Sequence, residues 1–166
     1  MTFQRHIKSL QGRFWRSIFL GQEENLLAPA KAPHGRWHYG GQKALYLSGS
    51  PEGCRVAVKA YQRSEDPPRG IFPIDVEADR IVDLRLPEIR NALGISLDDL
   101  HVFWATLHSE GIHPSTWRIS DALRDEGADG VLTPSRSRPD LTHLTLFRWN
   151  GVSEPRVARG GSPQTF

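Results

Sequence analysis

The most constraining stretch of this chain lies at residues 43–61, where a short strand runs almost directly into a helix. Residues 43–48, built on Ala44, Leu45, Tyr46 and Leu47, predict a compact apolar strand. Ser50-Pro51-Glu52 then predicts a helix start. The serine hydroxyl accepts a hydrogen bond as N-cap, proline suits the first turn, and glutamate favours the positive helix end. Cys54, Ala57, Val58 and Tyr61 follow on one helical face, which makes Cys54 a small buried residue rather than a nucleophile.

The remaining elements are read from period and punctuation. Residues 14–19 predict a strand with Arg16 inside an apolar run, and residues 21–34 a proline-bearing loop. Residues 71–76 predict a strand that Pro73 demotes to an edge or a bulge, and residues 81–84 a second short strand. Residues 87–93 predict a helix stopped by Gly94. Ser96-Leu97-Asp98-Asp99 leads a helix through Leu100, Phe103, Trp104 and Leu107, with Trp104 in the core. Residues 116–126 predict an amphipathic helix with Ile119, Ala122 and Leu123 inward. Strands are expected at 130–133 and 141–149, joined by a polar turn. Residues 1–13 read as a polar, loosely ordered segment, 14–150 as the single domain, and 151–166 as a flexible tail. No regular βαβ period runs through this order, so the expected class is α+β, with mixed and antiparallel sheets flanked by helices.

Composition narrows the chemistry. The chain has 166 residues, enough for one real core, and a net charge of +2, too small to imply nucleic acid. Basic residues do gather near the ends, at Arg5, Lys8, Arg13, Arg16, Arg156 and Arg159, and such ends suit an anionic ligand or an acidic partner. One cysteine excludes an internal disulfide and a multi-cysteine zinc site. The first residues lack the apolar core of a signal peptide, and no run is long enough to span a bilayer, so a soluble cytoplasmic protein is expected. A P-loop fails because Gly41-Gln42 stand where lysine and serine or threonine should. Gly-x-Ser-x-Gly is absent, and His101, His108 and His113 lack metalloprotease spacing, so no metal is expected.

Residues 35–50 are the stretch richest in ligand chemistry: Arg36, Trp37, His38 and Tyr39, then Gly40 and Gly41, then the strand carrying Tyr46. An arginine fork, exposed rings and a glycine-kinked loop would cradle a ligand bearing phosphates and rings. A β-turn with arginine and tryptophan stacked on its surface explains the same residues.

Taken in order, Trp15-Arg16, Gly35-Arg36-Trp37, residues 44–48, Ser50-Pro51-Glu52, residues 130–135 and residues 143–147 resemble the RES-domain family. That resemblance implies a fold similar to ADP-ribosyltransferases and a toxin that breaks the nicotinamide–ribose bond of NAD, by hydrolysis, phosphorolysis or ADP-ribosyl transfer to a protein. It also implies restraint by a cognate antitoxin of Xre type. Carried onto this chain, Arg36 would hold phosphates or ribose, with Arg16 as the second cation. Tyr46 would pack on the nicotinamide ring beside Trp37, and Ser135 and His143 would line the same pocket. The family's glutamate falls at Ala57, so the chain is read either as a toxin that this position disarms or as a non-catalytic module that binds NAD or ADP-ribose. Glu52 is the nearest carboxylate that could substitute, although its place in the first turn suits capping.

Overall fold

Polar and apolar residues alternate strictly from Ile74 to Asp79, with Asp75, Glu77 and Asp79 exposed and Ile74, Val76 and Ala78 buried. That alternation carries a strand through a stretch the sequence reading had split in two. The computed structural model describes residues 2–166. In it, residues 69–83 form one continuous strand at the centre of the fold.

The described elements run β1 (Ile7–Phe19), β2 (Leu45–Ser48), α1 (Pro51–Lys59), β3 (Arg69–Asp83), α2 (Pro87–Leu93), α3 (Leu97–Leu100), α4 (Trp104–Ser109), α5 (Ser115–Asp125), β4 (Gly130–Pro134), β5 (Thr142–Leu146), β6 (Arg156–Arg159) and β7 (Gln164–Thr165). All strands join one mixed sheet in the order β1-β2-β5-β4-β3-β6. β3 and β4 are parallel, and the other pairings are antiparallel. Because β1 also pairs with β3 from Ile7↔Val82 to Phe19↔Arg69, the path β1-β2-β5-β4-β3 closes on itself. The chain is therefore α+β, as its element order implied.

Alternation sorts the side chains into two cores. Phe14, Leu45, Leu47, Ile74, Ile81, Leu132, Leu144 and Leu146, from all five strands of the closed path, share one cluster. On the other face Val82, Val131 and Phe147 pack with Leu93, Leu100, Ile119 and Leu123 under α2, α3 and α5. The helix ends follow their expected signals. Ser50 Oγ accepts from the Gly53 amide, and Gly94 closes α2 in the left-handed region at φ 67°.

Several expectations are corrected. Pro73 lies in a doubly paired strand rather than at an edge. Its carbonyl accepts from the Gly160 amide on the β6 side, so its missing N–H falls in the gap between β6 and β7 and costs no bond to β1. Residues 2–13, the described part of the expected polar segment 1–13, are not loose: β1 starts at Ile7, Phe3 is fully buried, and its amide donates to the Glu126 carboxylate. Residues 151–166 supply β6 and β7, which pair with β3. The helix expected through Leu107 is two short ones, because Ser96 and Asp99 form a complete capping box for α3 and the helix then breaks at His101. Trp104 is only half-buried. Tyr61, at 69% exposure, and Ala57 lie outside the core, whereas Cys54 is buried and its thiol is pushed up to about 11 by burial. No helix among the described residues is long and apolar enough to cross a membrane.

The N-terminal residues are held by two anchors with measurable consequences. Replacing Phe3 with Ala should destabilise the domain by about 3–5 kcal/mol, read as a lower urea midpoint; a loosely ordered segment would show no shift. Asp83 is fully buried and accepts from Lys8 Nζ at 2.9 Å and Arg85 Nη2 at 2.7 Å. Burial pushes this carboxyl up, but the hydrogen bonds from Arg85 and Lys8 prevail and hold it at about 2, below its ordinary 3.8. Its stabilisation is therefore present above about pH 4 and is lost as pH falls through about 2. Relative to Asp83→Asn, the natural chain should lose about 1–2 kcal/mol more between pH 5 and pH 2 in urea titrations.

Candidate functional site

The pleat that fills the closed sheet with leucines puts the intervening residues on its opposite face. Along β2 these are Tyr46 and Ser48, opposite Thr145 and His143 of β5. On β4, Val131 and Thr133 stand opposite the same two residues. Ser48, Thr133 and Thr145 are buried polar residues, and His143 is half-buried. His143 Nδ1 lies 3.1 Å from Ser48 Oγ, and burial followed by the charge of Arg36 lowers its pKa. A neutral imidazole and a hydroxyl thus meet at the end of the sheet, beside buried Ser135, which follows β4.

The loop before β2 is locked onto this face. Gly35 and His38 form an isolated bridge, Trp117 Nε1 donates to the Gly35 carbonyl at 2.8 Å, and Arg124 donates to the carbonyls of Trp37 and Lys43. Gly35 has no room for a side chain, since a Cβ there would lie 2.7 Å from the Tyr46 hydroxyl. Gly40 and Gly41 supply the kink with φ values of 59° and 80°. His38 Nε2 lies 2.8 Å from the Ala32 carbonyl, which can only accept, so this nitrogen carries the proton. Nδ1 must then accept from the Tyr46 hydroxyl at 2.6 Å, while that hydroxyl accepts the Trp37 amide at 3.0 Å. Burial lowers the His38 pKa and raises that of Tyr46, so both groups stay neutral.

Arg36 reaches across to the break between α3 and α4. Its Nη1 donates to the Leu100 carbonyl at 3.0 Å and the Val102 carbonyl at 2.7 Å, acceptors that a continuous helix would have used itself. Burial lowers the Arg36 pKa, Arg136 lowers it further, and Tyr61 and Tyr46 raise it. Arg136 follows Ser135 and stacks its guanidinium over the exposed ring of Phe103, 4.7 Å from the centroid. His101, on the same link, has its pKa lowered first by burial and also by both arginines. The result is a cluster of positive charge at the 100–103 link, which Arg36 reaches from the loop before β2 and Arg136 from the start of the β4–β5 loop; we refer to the ground between them and the polar sheet face as the recess.

The residues expected from sequence divide clearly. Arg36 lies near enough to Tyr46 and His143 for its charge to act on both, and buried Ser135 is the chain neighbour of Arg136. Trp37, expected as an exposed ring, is 2% exposed and packs in the core beneath the helices, so its ring is not presented to a ligand. Arg16 spends its Nη1 on the carbonyls of Asn25, Leu26 and Ala28, and burial lowers its pKa to about 10. It is the clamp of the 25–28 turn. Ala57 is exposed on α1, and Glu52 lies 3.9 Å from Arg55 and 3.7 Å from Arg138. His101, Phe103 and Arg136 were missed: Phe103 read as part of a helical stripe and Arg136 as part of a polar turn. The one available signal was the position of Arg136 beside Ser135. Two surface concavities are lined by other residues: one of about 390 Å³ at Phe19, Tyr61 and Arg69, which adjoins the site through Tyr61, and one of about 480 Å³ over β1, β3 and β6. No group of three or more His, Cys, Asp or Glu among the described residues is placed to hold a metal ion.

A search of curated proteins gives no sequence match. Among solved structures, a chain of the M. tuberculosis MbcT–MbcA toxin–antitoxin complex superposes with a TM-score of 0.63 at 18% identity, covering 94% of this chain and 87% of that one. At that identity the likeness is one of fold. The family model described as RES domain matches residues 13–165, spanning the closed sheet, the recess and both C-terminal strands, and the chain belongs to the RES domain family.

Proposed function

We propose that this chain is a RES-type toxin domain whose recess binds NAD and acts on its nicotinamide–ribose bond. The single observation that carries the reading is Arg36, a half-buried cation tied to the Leu100 and Val102 carbonyls, with its charge acting on Tyr46 and His143 and a second cation, Arg136, nearby on the same link. Such a site suits the diphosphate of a dinucleotide, because a guanidinium fork matches phosphate oxygens and a partly desolvated setting strengthens the attraction. The family and the toxin–antitoxin neighbour support a toxin held in check by a partner antitoxin, for which we propose the Xre type, in the cytoplasm.

In this reading the C1′–N bond breaks with its electron pair leaving on nicotinamide. Water, phosphate or a protein side chain then adds to C1′ and loses its proton. Arg36 holds the phosphates or the ribose. Tyr46 presents a ring whose hydroxyl end is anchored by two hydrogen bonds, which suits packing on nicotinamide. Ser135 and the His143–Ser48 pair offer hydrogen-bonding groups to the ribose or amide.

One observation favours a second reading, a module of the same fold that binds NAD or ADP-ribose without turning it over. Arg36 hydrogen-bonds to the Leu100 and Val102 carbonyls, and it forms no ion pair with a carboxylate among the described residues. Ala57 stands where the family glutamate is expected, one turn before Tyr61, and Glu52 is directed to Arg55 and Arg138. A preorganised group facing the oxocarbenium-like charge is worth about 10²–10³ in rate.

Two measurements separate the readings. Ala57→Glu should raise nicotinamide release from NAD by about 10²-fold over the natural chain. Binding without turnover in both proteins would establish the binding module, and no binding of NAD or ADP-ribose by either would end both readings. Tyr46→Phe removes the acceptor of the Trp37 amide and the donor to His38, and should cost about 1–3 kcal/mol of stability in a denaturant titration. An unchanged midpoint would show that this hydroxyl does not organise the loop.

A further inference from the structure

The recess contains a second cation that the resemblance did not assign. We propose that Arg136, stacked on Phe103, is the second phosphate-binding cation of this recess and acts with Arg36 as a two-point clamp on the diphosphate of a dinucleotide. This inference rests on the NAD-binding reading given above.

Three observations converge on it. Arg16, the cation expected for this role, has its Nη1 shared among three backbone carbonyls and clamps the 25–28 turn. Arg36 and Arg136 instead both contact one short link: Arg36 binds the carbonyls of Leu100 and Val102, and Arg136 lies over the ring of Phe103, the next residue. Two like charges brought together around one link repel, and an anion between them would relieve that repulsion. Phe103 is 64% exposed, an unusual position for a phenylalanine, and its ring acts as a platform that fixes the plane of the Arg136 fork.

A third group in the link also lacks something. His101 Nε2 is buried with no hydrogen-bond partner. An imidazole nitrogen donates or accepts according to its tautomer, and a ribose hydroxyl adjoining the diphosphate can do either, so such a hydroxyl would satisfy this nitrogen.

The experiment is calorimetric titration of the purified chain with NAD, nicotinamide mononucleotide and nicotinamide riboside, which carry two, one and no phosphates. It is repeated on Arg136→Ala, Arg136→Lys, Phe103→Leu and Arg36→Ala. Arg136 is exposed on a loop, so its removal leaves the core intact, and a circular dichroism melt checks this. Arg136→Ala should weaken NAD at least tenfold, flatten its salt dependence and leave nicotinamide riboside unchanged. Arg136→Lys should recover part of the loss, and Phe103→Leu should weaken NAD several-fold. If Arg36→Ala weakens NAD and Arg136→Ala does not, the two-cation clamp is wrong while the NAD-binding reading stands. If the natural chain binds neither NAD nor nicotinamide mononucleotide, both fall together.

Discussion

The contact on which the recess depends is the pair of hydrogen bonds from Arg36 to the carbonyls of Leu100 and Val102. A guanidinium drawn partly out of water needs its donors satisfied, and a helix broken at His101 leaves carbonyls that need partners. Each defect answers the other. The bond joins the loop before β2 to the link between α3 and α4, elements 64 and 66 residues apart in sequence, and so sets the distance between the sheet face and the wall opposite it.

The remainder of the site is built outward from that span. The closed sheet gives β2, β4 and β5 a fixed register, so Tyr46, Ser48, Thr133 and His143 are delivered to one face by the same alternation that buries Leu45, Leu47, Leu132 and Leu144 on the other. Trp117 and Arg124 of α5 hold the loop from behind through backbone carbonyls, and Tyr46 closes the loop from in front through the Trp37 amide. The imidazoles of His38, His101 and His143 all have lowered pKa values, burial being the leading cause in each. Neutral rings leave the positive charge of the recess to the arginines, a division that suits an anionic ligand with hydroxyl groups.

Local signals in the sequence were sufficient where the physics was local. The Ser50 cap and the Gly94 stop depend on neighbours within a few residues, and the strand at Leu45 to Ser48 and the buried face at Cys54 were legible from local apolar pattern, although their partners lie elsewhere. Long-range pairing was not legible. Pro73 argued for an edge, and only the gap between β6 and β7 explains how a central strand accepts it. Phe3 and the strands after residue 155 looked polar or frayed because their partners lie on β3 and α5, far along the chain. In the site, Arg36, Tyr46 and His143 were visible as residue types in suggestive positions. The burial of Trp37 and the structural use of Arg16 were not, since an aromatic or a cation in a loop has the same one-dimensional signature whether it faces a ligand or the core. Arg136 and Phe103 became visible only when two separate loops were brought together.

The most direct test of the central claim is to follow backbone amide chemical shifts of the natural chain while NAD is titrated in. Shifts should concentrate at Arg36, Tyr46, Ser48, the 100–103 link, Ser135, Arg136 and His143, whether or not turnover occurs. Shifts that gather instead over β1, β3 and β6, around the concavity at Arg13 and Arg156, would place the ligand elsewhere and contradict the account.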